Sequence, residues 1–140
     1  MNGEYSEELK SGGKLVVTAS SIKIAYYFSG PDLRYNGQWI YIPYDKIDDY
    51  INAYKENFQK YQMLMNTIPK DGQFSTIGKC NMKIQIGSQY HNGVTIAEWY
   101  NHLYPSVFPI KKKSDVEIII SDYEYCKIRG KEVQKLLFNK

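Results

Sequence analysis

Few residues in this chain combine the types and spacing that chemistry needs. His91, Glu98 and His102 come nearest to a metal site. Two imidazoles and a carboxylate are a known ligand set, and Glu98 and His102, four apart, share one face of any helix that carries them. Glu98 has a simpler use. Thr95-Ile96-Ala97-Glu98 fits a helix capping box, and Val94 with Trp99 fits the accompanying hydrophobic staple. Those residues therefore predict a short helix ended by Pro105, and no metal. Asp115, Glu117, Asp122, Glu124 and Lys127 invite comparison with the carboxylate–lysine sites of nucleases. Such a site wants an acid two residues before the lysine, and Tyr125 stands there, so the acids read as the solvent face of a two-stranded ribbon.

Other chemistry is missing its residues. Neither G-x-x-x-x-G-K-[ST] nor G-x-G-x-x-G occurs, and no serine sits in a glycine-flanked nucleophile turn. Cys80 and Cys126 are far apart and form no C-x-x-C. With only two Cys and two His, a closed structural zinc site has too few ligands. Buried free thiols in a reducing compartment are the expectation, although spacing alone leaves a Cys80–Cys126 bridge open. The sequence thus predicts no catalytic residues, no metal and no cofactor.

Binding is better supplied. The formal charge of +3 lies wholly in residues 105–140, where eight basic side chains face five acidic ones. Lys111, Lys112, Lys113, Lys127, Arg129 and Lys131 form the candidate basic patch, for phosphates or an acidic partner. A solvated charged face is the more ordinary use of such residues. The chain also has 14 Tyr. Those on strands and loops should in part face outward, and exposed Tyr supplies contact area at low entropic cost or a platform on which bases stack. Tyr35, Tyr41, Tyr123 and Tyr125 are the candidates. Only Arg34 and Arg129 accompany 16 Lys. Lys is a point charge without the planar fork that reads guanine, which argues against sequence-specific DNA recognition.

The elements that must position these residues follow from periodicity. Lys14–Ala19 and Ile22–Phe28 read as a hairpin across Ser20-Ser21, and Asn36-Gly37 as a second tight turn leading into Gln38–Ile42. Ile47, Tyr50, Ile51, Tyr54, Phe58, Tyr61 and Leu64 recur at spacings of three and four. They predict a helix over 45–66, capped by Asp45, with Glu56 and Lys60 paired on another face. Phe74–Ile77 and Met82–Ile86 read as strands, as do Val116–Ser121 and Tyr123–Ile128, and Gly130–Phe138 as a short closing helix. The order β-β-β-α-β-α-β-β-α predicts an α+β fold with a mostly antiparallel sheet of five to six strands, one long helix and two short ones.

The 140 residues suit a flexible arm over 1–13 and a single domain over 14–140. The mean hydropathy is −0.51 and no apolar run approaches the roughly 20 residues that span a bilayer, so no membrane partner is expected. The acidic start, Met1 to Glu8, does not look like a secretory leader, which points to the cytoplasm. Abundant Lys, Ile, Asn and Tyr fit an AT-rich genome. These features favour a non-catalytic binding protein acting through protein–protein contacts: a stoichiometric inhibitor, immunity or adaptor protein of phage or mobile-element type. A non-sequence-specific single-stranded nucleic-acid binder is the alternative, and a small nuclease using His91 or His102 the third reading.

Overall fold

Alternation of side chains builds the first sheet. In a computed structural model, which describes residues 3–28, 38–87, 92–96 and 108–138, four strands pair antiparallel in chain order. They are Tyr5–Glu8 (β1), Lys14–Val17 (β2), Ile22–Phe28 (β3) and Gln38–Pro43 (β4). Leu15, Val17, Ile22, Ile24, Tyr26, Ile40 and Ile42 point to one face and are buried. The residues between them point to the other, as the period of two requires. Thr18 and Ser21 close the β2–β3 turn, where the Thr18 amide donates to the Ser21 carbonyl at 2.8 Å and the Thr18 hydroxyl accepts the Ser21 amide at 3.1 Å. The segment read as an arm contains β1, and beyond it buried Leu9 and Ser11 dock on the rest of the chain. The Asn36-Gly37 turn lies outside the described residues. The partner of β4 is β3, with Tyr26 opposite Ile40 and Tyr27 opposite Trp39.

A single 3-10 turn, Tyr44–Lys46, leads into the first helix, Ile47–Thr67 (α1). Asp45 belongs to that turn and does not cap; Lys46 is the N-cap and its side chain makes no capping bond. The predicted stripe is the buried face, with Ile47, Ile51, Tyr54, Phe58 and Tyr61 in the core. Asn57 is buried among them and serves the backbone. Its amide nitrogen donates to the Lys79 carbonyl, and its oxygen accepts from the Lys79 amide, both at 3.0 Å. This brackets the tight turn after Phe74–Ile77 (β5), where Cys80 and Asn81 take left-handed φ of 55° and 57°. Glu56 pairs across to Lys79 at 3.5 Å.

Met82–Ile86 (β6) and Gly93–Ile96 (β7) complete a second antiparallel sheet, β5-β6-β7. The capping-box reading of Thr95 is corrected here. Val94 and Ile96 lie opposite Ile84 and Met82, all buried, so the β-branched run packs as a strand and Thr95 starts no helix. The remainder of that predicted helix, with Glu98, Trp99 and His102, lies outside the described residues, as does His91.

The largest correction concerns the C-terminal third. Val116–Ser121 and Tyr123–Ile128 are not strands, and Gly130–Phe138 is no separate helix; all belong to one helix, Lys113–Phe138 (α2). Val116, Ile119, Tyr123, Cys126, Gly130 and Val133, spaced by three and four, are buried on one face together with Asp122. The local run Ile118-Ile119-Ile120 favours a strand, but the period over the whole segment is that of a helix face. α2 packs on β2, β3 and α1, and α1 packs on β6 and β7. The α+β class and antiparallel pairing stand; among the described residues the order of strands and α-helices is β-β-β-β-α-β-β-β-α.

Candidate functional site

Register places an aromatic surface on the outer face of the four-stranded sheet. One cross-strand row runs Ser6, Val16, Lys23, Pro43; the next runs Glu8, Lys14, Ala25, Tyr41; a third pairs Tyr27 with Trp39. Tyr27, Trp39 and Tyr41 are 49%, 38% and 50% exposed, high values for rings this large. Val16 and Ala25 point the same way yet are only 6% and 1% exposed, because taller neighbours overhang them. Small side chains between large ones leave a cleft of about 180 Å³, lined by Glu4, Ser6, Lys14, Val16, Lys23, Ala25, Trp39 and Tyr41.

The rings are fixed by one another. Trp39 and Tyr41 lie parallel, 7° apart with centroids at 6.3 Å, and Tyr27 meets Trp39 edge-on at 5.2 Å. Lys23 Nζ stands 4.4 Å from the centre of the Tyr41 ring and Lys14 Nζ 5.9 Å from that of Trp39. Each such contact is worth about 0.5–1 kcal/mol at an exposed site and holds the lysine stem down over the ring. Lys14 also approaches Glu8 at 3.7 Å. The surface is therefore pre-formed, apolar at its centre and balanced in charge at its rim.

No protein family, curated protein or solved structure matches this chain.

The sequence candidates distribute unevenly over this geometry. Tyr41 belongs to the aromatic face, and Tyr35 lies outside the described residues. Tyr123 is the opposite of an exposed contact. Helical periodicity turns it inward, it is 0% exposed, and its hydroxyl is bonded to that of Tyr26 at 3.0 Å. Tyr125 is exposed and donates to Glu7 at 2.8 Å, a bond that raises its pKa. The basic residues separate along α2. Lys127 bonds Asp48 at 2.6 Å, which raises its pKa, and lies 3.8 Å from Glu124. Arg129 pairs with Glu132 and, at 3.4 Å, with Glu7. Lys131 lies 4.5 Å from the centre of the Tyr44 ring. Lys111, Lys112 and Lys113 stand apart from these, at the start of the helix.

Tyr27 is one of the strand tyrosines expected in part to face outward, whereas Trp39, Lys14 and Lys23 went unnoticed in the sequence. The alternation of Trp39 and Tyr41 with Ile40 and Ile42 could have marked them, since the isoleucines must take the core side. Behind the sheet, Tyr26, Tyr54 and Tyr123 meet near Asp122 and Cys126. Asp122 is buried and its carboxylate accepts the Ser11 amide at 2.7 Å, an anchor for the N-terminal segment. Cys80 and Cys126 are both free thiols. Among the described residues, no three His, Cys, Asp or Glu side chains gather as they would around a metal ion.

Proposed function

We propose that this chain is a non-catalytic binding protein, of the inhibitor, immunity or adaptor kind, that holds a protein partner on the outer face of its four-stranded sheet. The observation that carries the reading is the exposed Tyr27–Trp39–Tyr41 cluster around a cleft floored by Val16 and Ala25. Tyr and Trp held in place by neighbours are the usual anchors of protein interfaces, where a few buried rings supply most of the affinity. The cleft, about 180 Å³, is smaller than the roughly 300–1,000 Å³ typical of small-molecule sites. It suits one side chain of a partner. Rim charge balances, with Glu4 and Glu8 against Lys14 and Lys23, and this leaves little attraction for a phosphate backbone. A phage or mobile element of an AT-rich bacterium is the source that the residue usage favours, and the cytoplasm the place of action. Among the described residues, no helix is long and apolar enough to cross a membrane.

The parallel rings of Trp39 and Tyr41 favour one second reading, a platform on which single-stranded bases stack beside Lys14 and Lys23. One experiment separates the two. The tagged chain is used to capture partners from lysate of a low-GC bacterium, with and without nuclease, alongside Trp39→Ala and Tyr41→Ala. The expected result is a protein captured despite nuclease, with affinity lowered by about 2 kcal/mol or more in Trp39→Ala. Capture abolished by nuclease, or undiminished in both variants, overturns the proposal.

A further inference from the structure

Away from that sheet face, the last turns of α1 and the segment entering α2 border an open groove of about 320 Å³ lined by Phe58, Tyr61, Gln62, Met65, Asn66 and the three lysines Lys111, Lys112 and Lys113. The lysines are exposed, and among the described residues none of them stands within ion-pair distance of a carboxylate. Further along α2, Lys127 and Arg129 are paired with acids and Lys131 lies over the Tyr44 ring. Met65 is 51% exposed and lines the groove with the largely buried rings of Phe58 and Tyr61 and the polar Gln62 and Asn66. Three lysines without an ion-pair partner among the described residues therefore share a groove with an exposed apolar side chain. We infer that this groove is a second binding site, independent of the sheet face, for an acidic protein segment whose carboxylates meet Lys111–Lys113 while an aliphatic side chain covers Met65.

The helix start argues against an anion seated on its backbone amides. The amides that an anion would take there already donate to Asp115, whose Oδ2 accepts from the Lys111 amide at 2.9 Å and the Lys112 amide at 3.1 Å. The Asp115 charge occupies the positive end of the helix dipole, so a compact phosphate meets a carboxylate and finds those backbone donors used. What remains is the long reach of three flexible ammonium groups, suited to charges spaced along a chain. Half-exposed Met65 in the same groove offers apolar burial that a sugar–phosphate backbone does not need.

The test uses the full chain and a fluorescein-labelled synthetic peptide of repeated Glu-Glu-Leu, with a Gln-Gln-Leu peptide and a labelled oligo-dT as controls. Anisotropy at low salt should show the acidic peptide binding and the Gln peptide not. Lys111→Gln, Lys112→Gln and Lys113→Gln together should weaken it about tenfold, the sum of three modest exposed contacts. Met65→Gln should weaken it about threefold through lost apolar burial. Lys10→Gln, Lys55→Gln and Lys135→Gln together, equal in charge but outside the groove lining, should change it less than about twofold. Trp39→Ala should leave it unchanged, which keeps this result separate from the sheet-face proposal. Equal loss in both triple variants would mean attraction to net charge alone and overturn the inference. So would absence of binding, or oligo-dT binding more tightly through the same lysines.

Discussion

Tyr26 and Tyr123 share a hydrogen bond of 3.0 Å, and Tyr26 is also bonded to the Ser11 hydroxyl at 3.2 Å. Tyr54 meets Tyr123 edge-on at 5.7 Å, and its buried hydroxyl lies near that of Tyr123 without reaching a hydrogen bond of ordinary geometry. The same substitution should then have opposite signs at the two positions. Tyr123→Phe loses a made bond and leaves the Tyr26 hydroxyl with one partner fewer, at a cost of about 1 kcal/mol. Tyr54→Phe removes an unsatisfied group and should be neutral or stabilising by up to about 1 kcal/mol. Urea midpoints of the two variants check this. The cluster also sets a pH response. Burial pushes Tyr26 up from 10.0 to about 12 and Cys126 up from 9.0 to about 12. Below pH 9 folded and unfolded chains hold the same protons on these groups. Above it the unfolded chain gives up the thiol proton, and above 10 its phenol protons, while the folded chain keeps them, so stability falls as pH rises. The slope is up to about 1.4 kcal/mol per pH unit for each such group. Urea unfolding between pH 8 and 11 should show the decline, and Cys126→Val should flatten its part between 9 and 10. A stability constant from 8 to 11 would mean that these groups titrate alike in both states.

At the scale of elements, the first helix was legible because its stripe from Ile47 to Tyr61 has one period and no competing signal. The β2–β3 hairpin was legible because β-branched runs flank a Ser-Ser turn. α2 was not, because Ile118-Ile119-Ile120 satisfies a strand locally and only Val116, Ile119, Tyr123, Cys126, Gly130 and Val133 together show the helix face. Gly130 tests the packing that decides the matter. A helix interior usually gains about 1 kcal/mol when Gly becomes Ala. Here a Cβ would come within 2.5 Å of Ile22 Cγ2, a branched methyl that is itself buried. Overpacking of this kind costs about 1–3 kcal/mol, so Gly130→Ala should be destabilising in a denaturant series. β1 escaped notice for another reason, since Tyr5-Ser6-Glu7-Glu8 is polar and lacks a β-branched run, although its partner β2 follows just beyond the turn. A chain beginning at Gly13 would lose β1, buried Leu9 and the Ser11 amide that Asp122 accepts. A buried carboxylate left without its donor costs about 1–3 kcal/mol or more, so the shortened chain should unfold at lower urea. An unchanged midpoint would restore the reading of a free arm.

Over the whole molecule, contacts between distant elements offset part of the basic surplus, and Lys111, Lys112 and Lys113 keep theirs. The surplus of +3 lies in residues 105–140, but folding brings Asp48 to Lys127 and Glu7 to Arg129, and lays Lys131 over Tyr44. None of these partners is close in sequence, which is why the candidate patch looked continuous in the chain and is divided in the fold. The aromatic face was hidden for the same reason, because Lys14, Ala25 and Tyr41 become neighbours only through register. The sheet face, with Glu4 and Glu8 against Lys14 and Lys23, lacks the term that supplies most non-specific nucleic-acid affinity, the release of counterions from phosphates. Single-stranded DNA should therefore bind no tighter than about 10⁻⁴ M at physiological salt. Its dependence on salt should be shallow, and Trp39→Ala should change little. The contrary outcome is well defined. If bases stack on Trp39 and Tyr41 while Lys14 and Lys23 take phosphates, affinity becomes micromolar and falls with a slope of about −0.7 per contact. Trp39→Ala then weakens it by about 1–3 kcal/mol with the slope preserved. Anisotropy of a labelled oligo-dT across a salt series, wild type beside Trp39→Ala, reads both quantities at once, and a micromolar, ring-dependent result would replace the protein partner with a nucleic-acid strand.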